Sequence, residues 1–175
     1  MHLCEVGRGF VRAWSSIAAA ACSVTLLGQT PVESWQYHAP FRESLRIAVL
    51  EDRVLALSPY GLVSLELDGR VLTAQSTVEG LSGVGMTSLA ASPDGQYALI
   101  GYQDGRIDRW TPSDVRSIDD IPRSGQFQGR TTLFDWAFAG PDKAFIAADF
   151  GLVELDLVLN AVRGTYRIRS DSEPM

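Results

Sequence analysis

Three stretches of this chain repeat one pattern. Arg46 to Leu67 (RIAVLEDRVLALSPYGLVSLEL), Thr87 to Trp110 (TSLAASPDGQYALIGYQDGRIDRW) and Phe134 to Leu157 (FDWAFAGPDKAFIAADFGLVELDL) share it. Each has an apolar segment, a charged turn, a second apolar segment, an aromatic-containing turn ending in glycine, and an alternating third segment. The turn glycines Gly61, Gly105 and Gly151 are 44 and 46 residues apart. That period suits one propeller blade and is too long for a leucine-rich or ankyrin repeat. Asp94-Gly95 and Asp104-Gly105 supply hairpin turns, where glycine tolerates the positive φ that such turns need. One small antiparallel sheet every 45 residues or so must stack on its neighbours to bury both faces.

The expected fold is therefore all-β: an incomplete β-propeller of about three four-stranded antiparallel blades, of the WD40/YVTN-like kind. The blades are placed around residues 32–77, 86–128 and 132–168, within a domain spanning 30–168, with a polar tail at 169–175. The fourth strands are read from Arg70–Thr77, the polar stretch after Trp110 and Val158–Ile168. Val32 to His38, with Trp35 and Tyr37 two apart, reads as a short strand ahead of the first repeat. No helix of useful length is signalled after residue 30.

Residues 1–29 read differently. Arg8 and Arg12 precede an apolar stretch from Ile17 to Leu27, and Gly28-Gln29-Thr30-Pro31 follows, which is the layout of a secretory signal and too short for a convincing membrane span. An N-terminal helix of the folded domain, or an extension from a misplaced start, are the other readings. Ala19-Ala20-Ala21-Cys22 also resembles a degenerate lipoprotein box. Both cysteines, Cys4 and Cys22, fall in this leader, so a mature domain would hold neither disulfides nor thiolate metal sites.

Charge narrows the partners. The formal charge is −6 and Lys143 is the sole lysine, so there is no basic groove for nucleic acid. His2 and His38 are the only histidines, and no serine sits in a Gly-x-Ser-x-Gly elbow. No catalytic residue, metal or cofactor is assigned, and the chain reads as a non-enzyme. The three glycines of the Gly80–Gly85 connection precede no Lys-Ser or Lys-Thr pair, so they read as a tight crossing between blades and not as a phosphate cradle. Asp119-Asp120 invites calcium but lacks further oxygen ligands nearby, and reads as a solvated rim.

The residues singled out for a binding or interblade patch are Tyr60, Tyr102, Asp104, Asp108, Asp149 and Phe150, with Gly61, Gly105 and Gly151 as structural turn glycines. Tyr60, Tyr102 and Phe150 occupy related turn neighbourhoods, where they either present a patch or plug the space between blades. Asp104 and Asp149 suit turns, where carboxylates bond nearby N–H groups. Asp108 is either an internal ion-pair or hydrogen-bond site or an outward-facing carboxylate.

Five runs carry a family resemblance: Gly80-Leu81-Ser82, Ile100 to Asp108, Ile118-Asp119-Asp120-Ile121, Ala148 to Leu152, and Thr165-Tyr166. With Gln29 at the leader end and Trp35 to Ala39 at the opening, they resemble the N-terminal propeller domain of PorZ-type proteins of the type IX secretion system. The resemblance covers about residues 30–168 and extends more distantly to the propellers of two-component regulators. It implies an exported protein of the periplasm or outer-membrane cell surface. The implied role is a non-catalytic binding and scaffolding module of an attachment complex. Its implied partners are other protein chains, namely type IX complex components or missing blades, and anionic lipopolysaccharide or another glycan. The alternative implied is a fragment of a ligand-sensing propeller. Three blades leave a wheel open, so the chain is expected to be a fragment, half of a split gene or a self-associating unit.

Overall fold

The computed structural model describes residue 41 and residues 43–125 and 129–167. The signal-like segment, the strand expected at Val32–His38, both cysteines, both histidines and the polar tail lie outside the described residues. Among those described, three four-stranded antiparallel sheets form, each a simple meander. Blade 1 is β1 (Arg46–Val49), β2 (Arg53–Ser58), β3 (Gly61–Glu66) and β4 (Leu72–Gln75). Blade 2 is β5 (Met86–Ala91), β6 (Ala98–Tyr102), β7 (Ile107–Trp110) and β8 (Val115–Ile118). Blade 3 is β9 (Leu133–Phe138), β10 (Lys143–Ala148), β11 (Gly151–Asp156) and β12 (Ala161–Tyr166). The first strands lie side by side, β1 against β5 and β5 against β9, as the inner strands of a propeller do. The expected all-β, incomplete-propeller fold is what forms.

Strand periodicity explains the packing. In β6 every residue is buried, because Ala98, Ile100 and Tyr102 point towards blade 1 while Leu99 points towards blade 3. Two apolar layers result. Leu55, Leu57 and Leu62 meet Met86, Leu89, Ile100 and Trp110 in one, and Leu99, Ile107 and Ile118 meet Leu133, Ile146, Val153 and Leu155 in the other. Polar bonds stitch both seams. Trp110 Nε1 donates to Gln75 Oε1 at 2.5 Å across the first, and Trp136 Nε1 donates to Ser88 Oγ at 2.9 Å across the second.

The far side of blade 1 is different. Register places Ile47, Ala56, Val63 and Ala74 in one row and Val49, Val54, Leu65 and Leu72 in the next, all on the face turned away from blade 2. Ile47, Val49 and Leu72 are 67%, 62% and 66% exposed, so an entirely apolar face stands open at its margins. The corresponding outer face of blade 3 is mixed, with Phe145, Ala147 and Leu152 in register beside Lys143, Glu154 and Asp156. There Glu154 accepts from the Tyr166 hydroxyl at 2.8 Å and faces Lys143 at 3.3 Å, with Arg163 spanning it and Asp156 at 3.9 Å each.

Helical structure among the described residues is confined to two short pieces. A single 3-10 turn at Thr77–Glu79 is closed by a capping box, in which Ser76 Oγ accepts from Val78 N–H and Glu79 accepts from Ser76 N–H at 2.7 Å. The helix α1 (Asp120–Arg123) follows Asp119, which pairs with Arg123 at 2.7 Å.

One Asp-Gly turn carries its positive φ on a residue other than glycine. At Asp68-Gly69 the positive φ falls on Arg70, at 51°, and not on the glycine. Arg70 lies in the connection between β3 and β4, residues 67–71, and Asn160, at 50°, closes the one between β11 and β12, residues 157–160. Asparagine tolerates this region better than arginine. Arg70→Asn is therefore expected to raise stability by about 0.5 kcal/mol in urea denaturation.

Candidate functional site

A meander places alternate turns at the same end of each sheet. The β2–β3, β6–β7 and β10–β11 turns therefore share one end with the linkers that join the blades. All six residues singled out in the sequence map to this end or just beneath it. Backbone bonds tie the rim together: Gly85 N–H to Pro59 O at 2.7 Å, Gln103 N–H to Gly85 O at 2.9 Å, and Asp149 N–H to Thr132 O at 3.1 Å. Gln103, Asp104, Arg130 and Thr132 line a cavity of about 490 Å³ on this rim.

The aromatic residues do not share one surface. Tyr60 is exposed, Phe150 is half-buried against the layer between blades 2 and 3, and Tyr102 is completely buried against blade 1. Strand pairing explains the difference. Blades 1 and 3 use two-residue turns, Ser58 opposite Gly61 and Ala148 opposite Gly151, whereas Tyr102 N–H bonds to Arg106 O across a three-residue turn. Tyr102 is thus the last strand residue before the turn, matching Ser58 and Ala148. It is not a counterpart of Tyr60.

The three turn glycines also differ from one another. Gly105 has φ 85°, as the αL position after a type I turn requires. Gly61 has no positive φ; there a methyl would meet the Phe41 ring at 2.5 Å and Gln75 O at 2.6 Å. Gly151 combines φ 131° with close contact to the Tyr166 carbonyl.

Beneath the rim lies the most tightly built polar cluster. Asp108 is fully buried and accepts from Ser82 N–H at 2.9 Å, from Tyr102 Oη–H at 2.6 Å and, in a short bond, from Ser82 Oγ–H. Of the two readings open for Asp108, the internal hydrogen-bond site is the one that forms. Arg106 closes the other side. It pairs with Asp104 at 2.6 Å, donates to Ser82 O and lies 5.8 Å from the Tyr102 ring centre. The Ser82-Gly83 linker is thereby clamped between Asp108 and Arg106, and a methyl at Gly83 would displace the guanidinium, which lies 2.6 Å from its place. Gly80 and Gly85, at φ 107° and 78°, make the crossing on either side.

Burial, and then the Asp108 charge, push the Tyr102 hydroxyl well above its ordinary value. A raised folded-state value contributes stability that is complete below the unfolded tyrosine value, about pH 10, and is lost as pH rises beyond it. The stability difference between the natural chain and Tyr102→Phe is accordingly expected to shrink above about pH 10, as read from urea midpoints across an alkaline series.

The remaining acids act as ties. Asp149 accepts from Thr132 N–H at 3.2 Å, and Asp120 of α1 accepts from Val162 N–H at 2.7 Å, joining the linker to blade 3. No grouping of three or more His, Cys, Asp or Glu able to hold a metal occurs among the described residues. Ser82, Arg106 and Thr132 were not evident in the sequence as parts of this end. Ser82 lies 26 residues from Asp108, and neither periodicity nor a spacing motif links them.

Three meanders packed face to face around adjoining inner strands define a β-propeller module. The chain belongs to the family of the PorZ N-terminal β-propeller domain of the type IX secretion system, whose profile matches residues 54–174. Its fold is similar to that of PorZ from Porphyromonas gingivalis, described as an essential bacterial surface component of that system. The TM-score is 0.63 at 22% identity, over 70% of this chain and 16% of PorZ. It is also similar to the extracellular domain of a putative hybrid two-component system from B. thetaiotaomicron, with TM-score 0.60, 19% identity, and 77% and 18% of the two chains covered. Apo AztD from Citrobacter koseri gives TM-score 0.52 and 18% identity over 70% and 34%. At these identities the solved structures carry the fold alone. The chain spans less than a fifth of the first two proteins. No curated protein matches it.

Proposed function

We propose that the chain is a non-catalytic binding and scaffolding module of a type IX secretion complex, exported to the periplasm or outer-membrane surface. Its first task is to dock further blades, whether carried on a longer chain or on a partner. The supporting observation is the far face of blade 1, two complete rows of apolar side chains that no described residue covers in full. An apolar sheet face of this extent favours burial against another sheet. The family match favours a type IX assembly over the sensory alternative, although the similarity to a two-component extracellular domain keeps a ligand-sensing propeller as the second reading.

Capture of the tagged chain from native outer membranes after mild cross-linking tests this. Type IX components should be recovered with the natural chain, and Leu65→Arg, which puts a charge in the middle of the apolar face, should lose them. Recovery of the chain without any such component would sink the proposal. Recovery with a membrane-anchored kinase would favour the sensory reading.

A further inference from the structure

A second polar site lies at the opposite end of the sheets, outside the five runs that carry the family resemblance. Arg109 on β7 and Arg116 on β8 stand directly opposite one another in the register. Their side chains leave the same face with Cβ atoms about 5 Å apart, an arrangement that is repulsive unless an anion answers it. Only Arg116 has an acidic partner, Asp114 at 3.1 Å, and both groups of that pair are mostly exposed.

Arg109 has no carboxylate within ion-pair distance among the described residues. It is instead held by neutral groups. Its guanidinium lies 4.0 Å from the centre of the Tyr97 ring, and one terminal nitrogen donates to Leu157 O at 3.1 Å and Asn160 Oδ1 at 3.0 Å on blade 3. Both bonds leave from NH1, so the Nε–NH2 edge has no partner among the described residues. That edge is the fork that pairs with a planar carboxylate through two parallel bonds. Because the stack and the blade 3 contacts fix the guanidinium beforehand, little side-chain freedom is left to lose on binding.

A cavity of about 360 Å³ opens at this point, lined by Arg109, Thr111, Ser113, Asp114 and Arg116. Thr111 is committed to closing the β7–β8 turn, bonding both ways with Asp114, whereas Ser113 offers a hydroxyl at the rim. The two guanidinium groups and one carboxylate of the lining leave a single positive charge, which the Asp94 carboxylate, near enough to interact with Arg109, partly offsets. That balance suits one carboxylate. A phosphate dianion or a polyanion would meet Asp114.

We propose that this seam between blades 2 and 3 binds a single peptide carboxylate, the side chain of an aspartate or glutamate or the C-terminus of a partner segment. The carboxylate bridges the free edge of Arg109 and the guanidinium of Arg116.

The test follows arginine Nε–H signals by NMR while N-acetyl-aspartate methylamide, glucuronate or inorganic phosphate is added at matched ionic strength. The aspartate compound should saturate the Arg109 signal, and high salt should weaken it. Arg116→Gln, a change at an exposed residue, should weaken binding by about tenfold. Asp114→Asn should tighten it and admit phosphate. The proposal is overturned if glucuronate or phosphate binds the natural chain as tightly as the aspartate compound, if Arg116→Gln binds unchanged, or if Arg109 does not respond.

Discussion

Asp108→Ala is expected to cost about 3–5 kcal/mol in urea denaturation, because it strips the acceptor from three buried or part-buried donors at once. Asp108 is fully buried, and three donors from two separate segments converge on it. Alanine leaves the Ser82 amide, the Ser82 hydroxyl and the Tyr102 hydroxyl without an acceptor in a place water does not reach freely, and each unmet donor costs about 1–3 kcal/mol. The loss also frees the linker between blades 1 and 2, because Ser82 is that linker's anchor. Arg106 then remains the side-chain tie to Ser82, through its carbonyl oxygen, beside the backbone bonds of Gly85 with Pro59 and Gln103.

Asp108→Asn separates charge from shape. Its carbonyl can still accept from Ser82, but its NH₂ confronts a second donor, so a smaller loss of about 2 kcal/mol is expected. A double-mutant cycle with Tyr102→Phe should show coupling above about 0.5 kcal/mol, since the two groups share one bond of 2.6 Å. A loss below about 1 kcal/mol for Asp108→Ala would mean that the cluster is solvated or dispensable.

This cluster also marks where sequence reading stops. The blades were legible because strand periodicity, Asp-Gly turns and the 44- and 46-residue spacings are all local signals. The contacts between blades were not, because they join residues far apart in the chain: Ser82 with Asp108, Gln75 with Trp110 across 35 residues, and Arg109 with Asn160 across 51. The family resemblance helped indirectly. Gly80-Leu81-Ser82 and the run ending at Asp108 are separate signatures in the sequence, and the fold bonds them as two halves of one clamp. Tyr102 was obscured by a single residue of turn length, since counting back from the glycine sets it beside Tyr60 while strand pairing puts it inside the seam. Asp120 illustrates the reverse. Its spacing suggested a solvated rim, and it is indeed exposed, yet its carboxylate caps the Val162 amide of blade 3.

Backbone conformation and close contacts order the three glycines, with Gly151→Ala the most damaging. Gly151 sits at φ 131°, where a side chain imposes about 1–3 kcal/mol of backbone strain. A methyl there would also collide with the Tyr166 carbonyl and lie 3.1 Å from Arg167 Cα. Both obstacles are backbone, so relief requires β12 to separate from β11, which opposes the pairing of Leu152 with Tyr166 and the 2.8 Å bond from Tyr166 to Glu154. Adding overpacking of about 1–3 kcal/mol gives an expected loss of about 3–5 kcal/mol. Gly105→Ala meets strain at φ 85° and Ile121 Cγ2 at 2.8 Å, a side-chain atom that can shift, and should cost about 2 kcal/mol. At Gly61 there is no strain at φ, and the Phe41 ring can give way although Gln75 O cannot, so about 1–3 kcal/mol is expected. Urea midpoints for the three alanine variants test the order, and amide exchange localises the effect. Gly151→Ala should speed exchange at β12 before the rest of blade 3, and equal losses at all three positions would show that the repeat, and not the local turn geometry, sets the need for glycine.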